Sequence, residues 1–162
     1  MRRTALILFA VPALAASASA QSKFAGSAKI LKPEKEYKID VGDRPGHVFL
    51  INQVKCIYTK GEIAGIQVKE EMDTGFYQIN GNAAPGRFSG FVNVADGDKI
   101  YLRGESTLTL KDGVPQTDRG TWSFNGGTGK FKSLKGKGTY KVDLAPDGSG
   151  TLDVAGEYEA GK

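Results

Sequence analysis

A single cysteine, Cys56, and a single histidine, His47, set the first limits on what this chain can be. One thiol excludes a disulfide scaffold, and one residue of each kind falls short of the three or four ligands that a zinc site uses. An excess of one charge is missing too, since 22 Lys and Arg stand against 18 Asp and Glu. Two of the basic residues, Arg2 and Arg3, fall in a leader, and without them 20 basic residues face 18 acidic ones. A net charge so near zero argues against a nucleic-acid partner, because phosphate binding draws on a concentrated excess of Lys and Arg. Long apolar runs are also absent. The longest begins at Ala5 and ends by Ala15, interrupted by Pro12, whereas a membrane-spanning helix needs roughly 20 residues.

That short run has a different reading. Arg2 and Arg3 form a basic start, the apolar stretch follows, and Ser17-Ala18-Ser19-Ala20 supplies small residues for a signal peptidase. Residues 1–20 therefore read as a signal peptide, with Gln21 opening an exported mature chain, periplasmic or secreted, of bacterial type. In an oxidising compartment an unpaired thiol is buried or reactive. The apolar neighbours of Cys56 favour a small buried hydrophobe.

All 22 glycines lie in the mature part, where they punctuate short alternating runs rather than gathering in a linker. This is the pattern of an antiparallel β protein. Residues 21–35 read as a flexible N-terminal arm, and 36–162 as one β-barrel domain. Strands are expected near Glu36–Val41, Val48–Tyr58, Ile63–Met72, Phe76–Asn80, Arg87–Val94, Lys99–Leu110, Val114–Phe124, Gly138–Leu144 and Thr151–Tyr158. Asp96-Gly97-Asp98, Lys111-Asp112-Gly113 and Pro146-Asp147-Gly148 mark turns. No segment keeps apolar residues at helical spacing over three turns. Eight or nine such strands imply a closed all-β antiparallel barrel, nominally eight-stranded and calycin-like, or a sandwich.

Alternation in the last strands separates the faces. Gly120, Trp122 and Phe124, then Gly138, Tyr140, Val142 and Leu144, then Leu152, Val154, Gly156 and Tyr158 form one set. This set contains no carboxylate. Glu70, Glu71 and Asp73 are the densest acidic group; adjacent strand residues face opposite ways, and all three are expected to be solvated. His47 follows a turn glycine and reads as a surface or capping residue. Arg103 and Glu105 share one face of a long strand, as a pocket pair or a surface pair. Lys130, Lys132, Lys135, Lys137 and Lys141 form the densest basic run, expected to be a solvated face, with contact to an anionic surface as the functional option.

The glycine-rich segment 125–130 fails as a phosphate loop, because Phe124 stands where a glycine is needed and Phe131 replaces the Ser or Thr. It fails as a dinucleotide fingerprint because Lys132 occupies the third glycine position. No serine lies in a Gly-x-Ser-x-Gly elbow. No cofactor is called for.

Ser123 to Gly136, with Gly126-Gly127-Thr128-Gly129, Phe131 and Gly136, resembles the Gly-Gly-Thr-Gly-x-Phe…Gly segment of the allene oxide cyclase barrel-like superfamily. That superfamily includes plant dirigent proteins and small bacterial exported proteins. The likeness runs over Trp122–Tyr140. It implies an eight-stranded antiparallel barrel with an apolar cavity, a trimer as one form of homo-oligomer, and in some members the steering of cyclisation or coupling of small molecules. No catalytic residue transfers.

Three functions follow as expectations. The first is a barrel that binds a small apolar or aromatic molecule in its lumen, with Trp122, Tyr140, Tyr158 and Leu102 as the ligand-facing set. The second is a structural or envelope-interacting protein that uses the basic run. The third is a cyclase or isomerase working by confinement, which requires an acid or base in the lumen.

Overall fold

Period-two alternation becomes strand after strand in the computed structural model, which describes residues 21–160. The expected signal peptide lies outside the described residues. Ten strands follow in chain order: β1 (Ser22–Ile30), β2 (Lys35–Asp40), β3 (Val48–Lys60), β4 (Glu62–Ile63), β5 (Ile66–Ile79), β6 (Ala83–Val94), β7 (Lys99–Lys111), β8 (Val114–Gly127), β9 (Lys135–Leu144) and β10 (Gly150–Glu159). A single 3₁₀ turn, Gly129–Phe131, separates β8 from β9. Every pairing is antiparallel. Strands β5 to β10 form a meander, β1 pairs with β10, and β3 joins β1 to β5, so eight strands close into a barrel. The two outer strands, β2 and β4, lie on β3 and β5.

Two expectations change here. The segment expected to be a flexible arm supplies β1, paired with β10 from Ser22↔Tyr158 to Ile30↔Gly150. The two strands expected near Ile63–Met72 and Phe76–Asn80 are largely one, β5. Asp73-Thr74-Gly75 looks like a turn, but Gly75 sits inside the strand for want of space. A Cβ there would come 2.8 Å from Asn52 Oδ1 and from the Tyr77 ring. The β7–β8 turn is as expected: Asp112 (φ 53) and Gly113 (φ 77) both adopt the left-handed conformation that a two-residue hairpin of this twist demands.

Two bulges set which side chains enter the lumen. Between Val68 and Glu70 the β5–β6 register slips, so the inward phase passes from Val68 to Glu71, Asp73, Gly75 and Tyr77. A second slip, between Thr109 and Leu110, lets Pro115 face the lumen as well, while Asp118 keeps the inward phase of Gly120, Trp122 and Phe124.

The apolar interior falls into two clusters. The larger holds Phe24, Val92, Leu102, Trp122, Phe124 and Leu152 among others, and is stoppered by Ile63, Ile100, Phe131 and Leu134, each nearly or wholly inaccessible. The smaller holds Leu50, Tyr77, Ala84, Leu108 and Leu110. Among the described residues no helix is long and apolar enough to cross a membrane.

Candidate functional site

The lumen encloses a cavity of about 130 Å³ whose walls are mainly apolar. Pro33, Glu36, Pro115 and Gly148, contributed by β2, the start of β8 and two strand-connecting segments, line it at the open end. Its polar groups are gathered rather than scattered. Tyr77 Oη donates to Asp118 Oδ2 at 2.8 Å, and Tyr58 Oη donates to Glu71 Oε2 at 2.7 Å. Asp73, on the same face of β5, lies between Glu71 and Tyr77 in the chain. Among the described residues, four buried polar atoms on residues that line the cavity have no hydrogen-bond partner: Asn52 Oδ1, Asp73 Oδ1, Asp118 Oδ1 and Tyr140 Oη. Buried polar groups are nearly always paired, so four orphans around one void mark a place built for something polar to enter.

Burial governs the protonation of this cluster. It pushes the Asp73 carboxyl well above the usual range, and the neighbouring Glu71 charge pushes it the same way. Burial also raises Asp118, opposed by the hydrogen bond that Tyr77 donates. Tyr77 and Tyr140 are held firmly as neutral phenols, first by burial and then by the Asp118 charge. Gly90 lies opposite Asp73, and a side chain at that position would collide with the Asp73 carboxylate.

Of the four expected ligand-facing residues, Trp122, Tyr140 and Leu102 line the cavity together. Trp122 is 4% exposed, with Phe24 edge-on at 5.8 Å and Phe124 at 4.6 Å. Tyr158 sits among the stoppering residues, where its hydroxyl accepts from the Ala64 amide at 2.9 Å.

The acids correct the sequence reading. Glu71 is 5% exposed and both it and Asp73 line the lumen; only Glu70 faces out, paired with Lys55 at 3.0 Å. The inward set, expected to hold no carboxylate, contains Asp118, two residues before Gly120 in the same phase. His47 is also not a surface residue. It is buried beside Phe49, its Nδ1 lies 2.6 Å from Asp43 Oδ1, and Gln78 Nε2 donates to its Nε2 at 2.9 Å. It pins the β2–β3 connection and does not line the cavity.

Cys56 lines the lumen as a buried thiol, raised well above its usual value by burial and then by Glu71 and Asp73. Native protein is expected to resist thiol reagents at pH 8, with full labelling only in denaturant; rapid native labelling would show that the lumen opens. Arg103 and Glu105 are exposed on the outer wall. In the basic run, Lys130 pairs with Asp96 at 3.0 Å, Lys137 with Glu157 at 3.8 Å, and Lys141 with Asp143.

Comparison with known proteins places this geometry within a fold. No protein-family model matches the sequence, and no curated protein matches it. Among solved structures, the barrel is similar to the pterocarpan synthase dirigent protein PsPTS1, at TM-score 0.54 and 12% identity over 88% of this chain and 97% of that one. It is likewise similar to the pterocarpan synthase dirigent protein GePTS1, at TM-score 0.56 and 11% identity over 97% and 98% of the two chains. At such identities the likeness concerns architecture: this chain folds as a dirigent-like closed β-barrel.

Proposed function

We propose that this protein is an exported binding barrel that holds one small, mainly apolar or aromatic molecule in its lumen by a polar end. The observation that carries the reading is the void bordered by orphaned polar atoms, with apolar walls on either side of them. Apolar area supplies affinity and a few fixed polar groups supply orientation. A cavity of about 130 Å³ compares with the engineered dry cavity of roughly 150 Å³ that takes up benzene. The occupant is therefore of single-ring size.

Trp122, the one tryptophan, reports on the lumen directly. Benzyl alcohol is expected to change its fluorescence saturably, with a dissociation constant between about 10 µM and 1 mM, the range open to so small a ligand. Val54→Phe, at a half-buried lining position, should fill the void and abolish the response. A response that persists in this variant would place binding elsewhere.

A second reading is favoured by the buried acids. In a cyclase or isomerase acting by confinement, a protonated Asp73 or Asp118 would donate to the bound molecule. The fold neighbours are by name synthases, which suits this reading without specifying a substrate. An envelope-binding role for the basic run is weakened by the ion pairs of Lys130, Lys137 and Lys141.

A further inference from the structure

We propose that the molecule this lumen is built to hold is a small organic cation, a protonated monoamine of single-ring size. This inference rests on the lumen-binding reading above and adds the charge of the ligand.

The cavity lining contains Glu71, Asp73 and Asp118, with Glu36 at the open end, and no Lys, Arg or His among the described residues. Bare acidity would not suffice, because carboxyls can sit in a barrel as buried, neutral, mutually satisfied groups. The orphaned atoms add to this. Asn52 Oδ1 can only accept a hydrogen bond, as can Asp73 Oδ1 and Asp118 Oδ1 once ionised, whereas the Tyr140 hydroxyl both donates and accepts. The Tyr58 and Tyr77 hydroxyl protons are already given to Glu71 and Asp118. Asp118 is 7% exposed, so solvent does not satisfy its free oxygen. Once a carboxyl ionises, acceptors outnumber donors among the free atoms that line the cavity, so the site calls for N–H or O–H groups on the ligand. An alkylammonium brings three donors and a positive charge, an alcohol brings one donor, and a carboxylate brings none.

The remainder of the wall suits a cation as well. Trp122, Phe88 and Tyr140 line the same cavity, and aromatic faces attract a cation, most strongly once it is desolvated. Ring and ammonium together match the two kinds of wall.

Binding has a proton balance. Asp118 faces Tyr77 and Tyr140, and Asp73 faces Glu71, Cys56, Tyr58 and Tyr77. None of these can supply a compensating positive charge. With the lumen empty, burial favours the protonated carboxyl; when the ammonium enters, one carboxyl releases its proton to water and the carboxylate pairs with the ligand. Affinity for a cation should accordingly rise with pH until the carboxyl is fully ionised in the empty protein.

The test is calorimetric titration of the full mature chain with four probes of one shape: benzylamine, benzyl alcohol, toluene and benzoate. At pH 7, benzylamine is expected to bind at least tenfold more tightly than benzyl alcohol, and benzoate not at all. Repeating the titration in buffers of different ionisation heat should show proton release, and Asp118→Asn should reduce the preference for benzylamine at least tenfold. Benzyl alcohol or toluene binding as tightly as benzylamine overturns the cation while leaving the lumen reading intact. If neither benzylamine nor the neutral probes bind, or if Val54→Phe leaves their binding unchanged, the lumen reading itself falls.

Discussion

A chain beginning at Leu31 is expected not to form the barrel. Strand β1 pairs with β10 at nine positions, and Ser27 to Ile30 pair with β3, so its loss opens the barrel wall and bares two strand edges. Phe24, Ala28 and Ile30 leave the core with it. Each large apolar side chain contributes about 1.5–3 kcal/mol by burial, and domains of this size are stable by only about 5–15 kcal/mol in all. Adding the lost ladder hydrogen bonds exhausts that margin. Circular dichroism and amide NMR of the truncated chain should show no cooperative thermal transition and collapsed dispersion. A sharp transition and native dispersion would mean that β1 is dispensable.

The second large effect concerns pH. Asp73 and Asp118 have carboxyls raised in the folded state above the usual value of 3.8, mainly by burial. The folded protein therefore keeps protons that the unfolded chain has given up. Stability falls as pH climbs from about 4 through each folded value, by up to about 1.4 kcal/mol per pH unit per group. In the empty protein, Asp73→Asn/Asp118→Asn removes this penalty. Its melting temperature at pH 7 should exceed that of the native chain by about 5 °C or more, and the two curves should converge near pH 4. A double variant that melts lower at pH 7 would show these carboxylates to be stabilising, which this electrostatic picture forbids.

The same two aspartates show what the sequence could and could not tell. Strand count, closure and most turns were readable because alternation and paired turn residues are local signals. Asp118 was also within reach, since the phase of Trp122 and Gly120 extends back to it along β8. Glu71 and Asp73 were hidden by Gly75, which mimics a turn but serves the close approach of Asn52 and Tyr77. Reading β5 as a single strand and counting back from Tyr77 by twos recovers both. The Lys69 bulge, by contrast, is a tertiary feature with no local mark. Strand β1 escaped because its inward face is Phe24, Gly26, Ala28 and Ile30, half of it small residues of low β-propensity. Packing demands them: a Cβ on Gly26 would lie 3.0 Å from both the Tyr58 ring and the Lys60 carbonyl oxygen. Tyr158 kept its expected inward phase but lies beyond the cavity, because alternation fixes a face and not a depth.

A small molecule held in the lumen, and on no outer surface, leaves a distinct mark: intermolecular NOEs from benzyl alcohol to the methyl groups of the native protein. NOEs are expected to Leu102, Val92 and Leu152, which line the cavity, and are expected to vanish in Val54→Phe. NOEs confined to the exposed Leu31, Ile39 and Ile51 would contradict lumen binding.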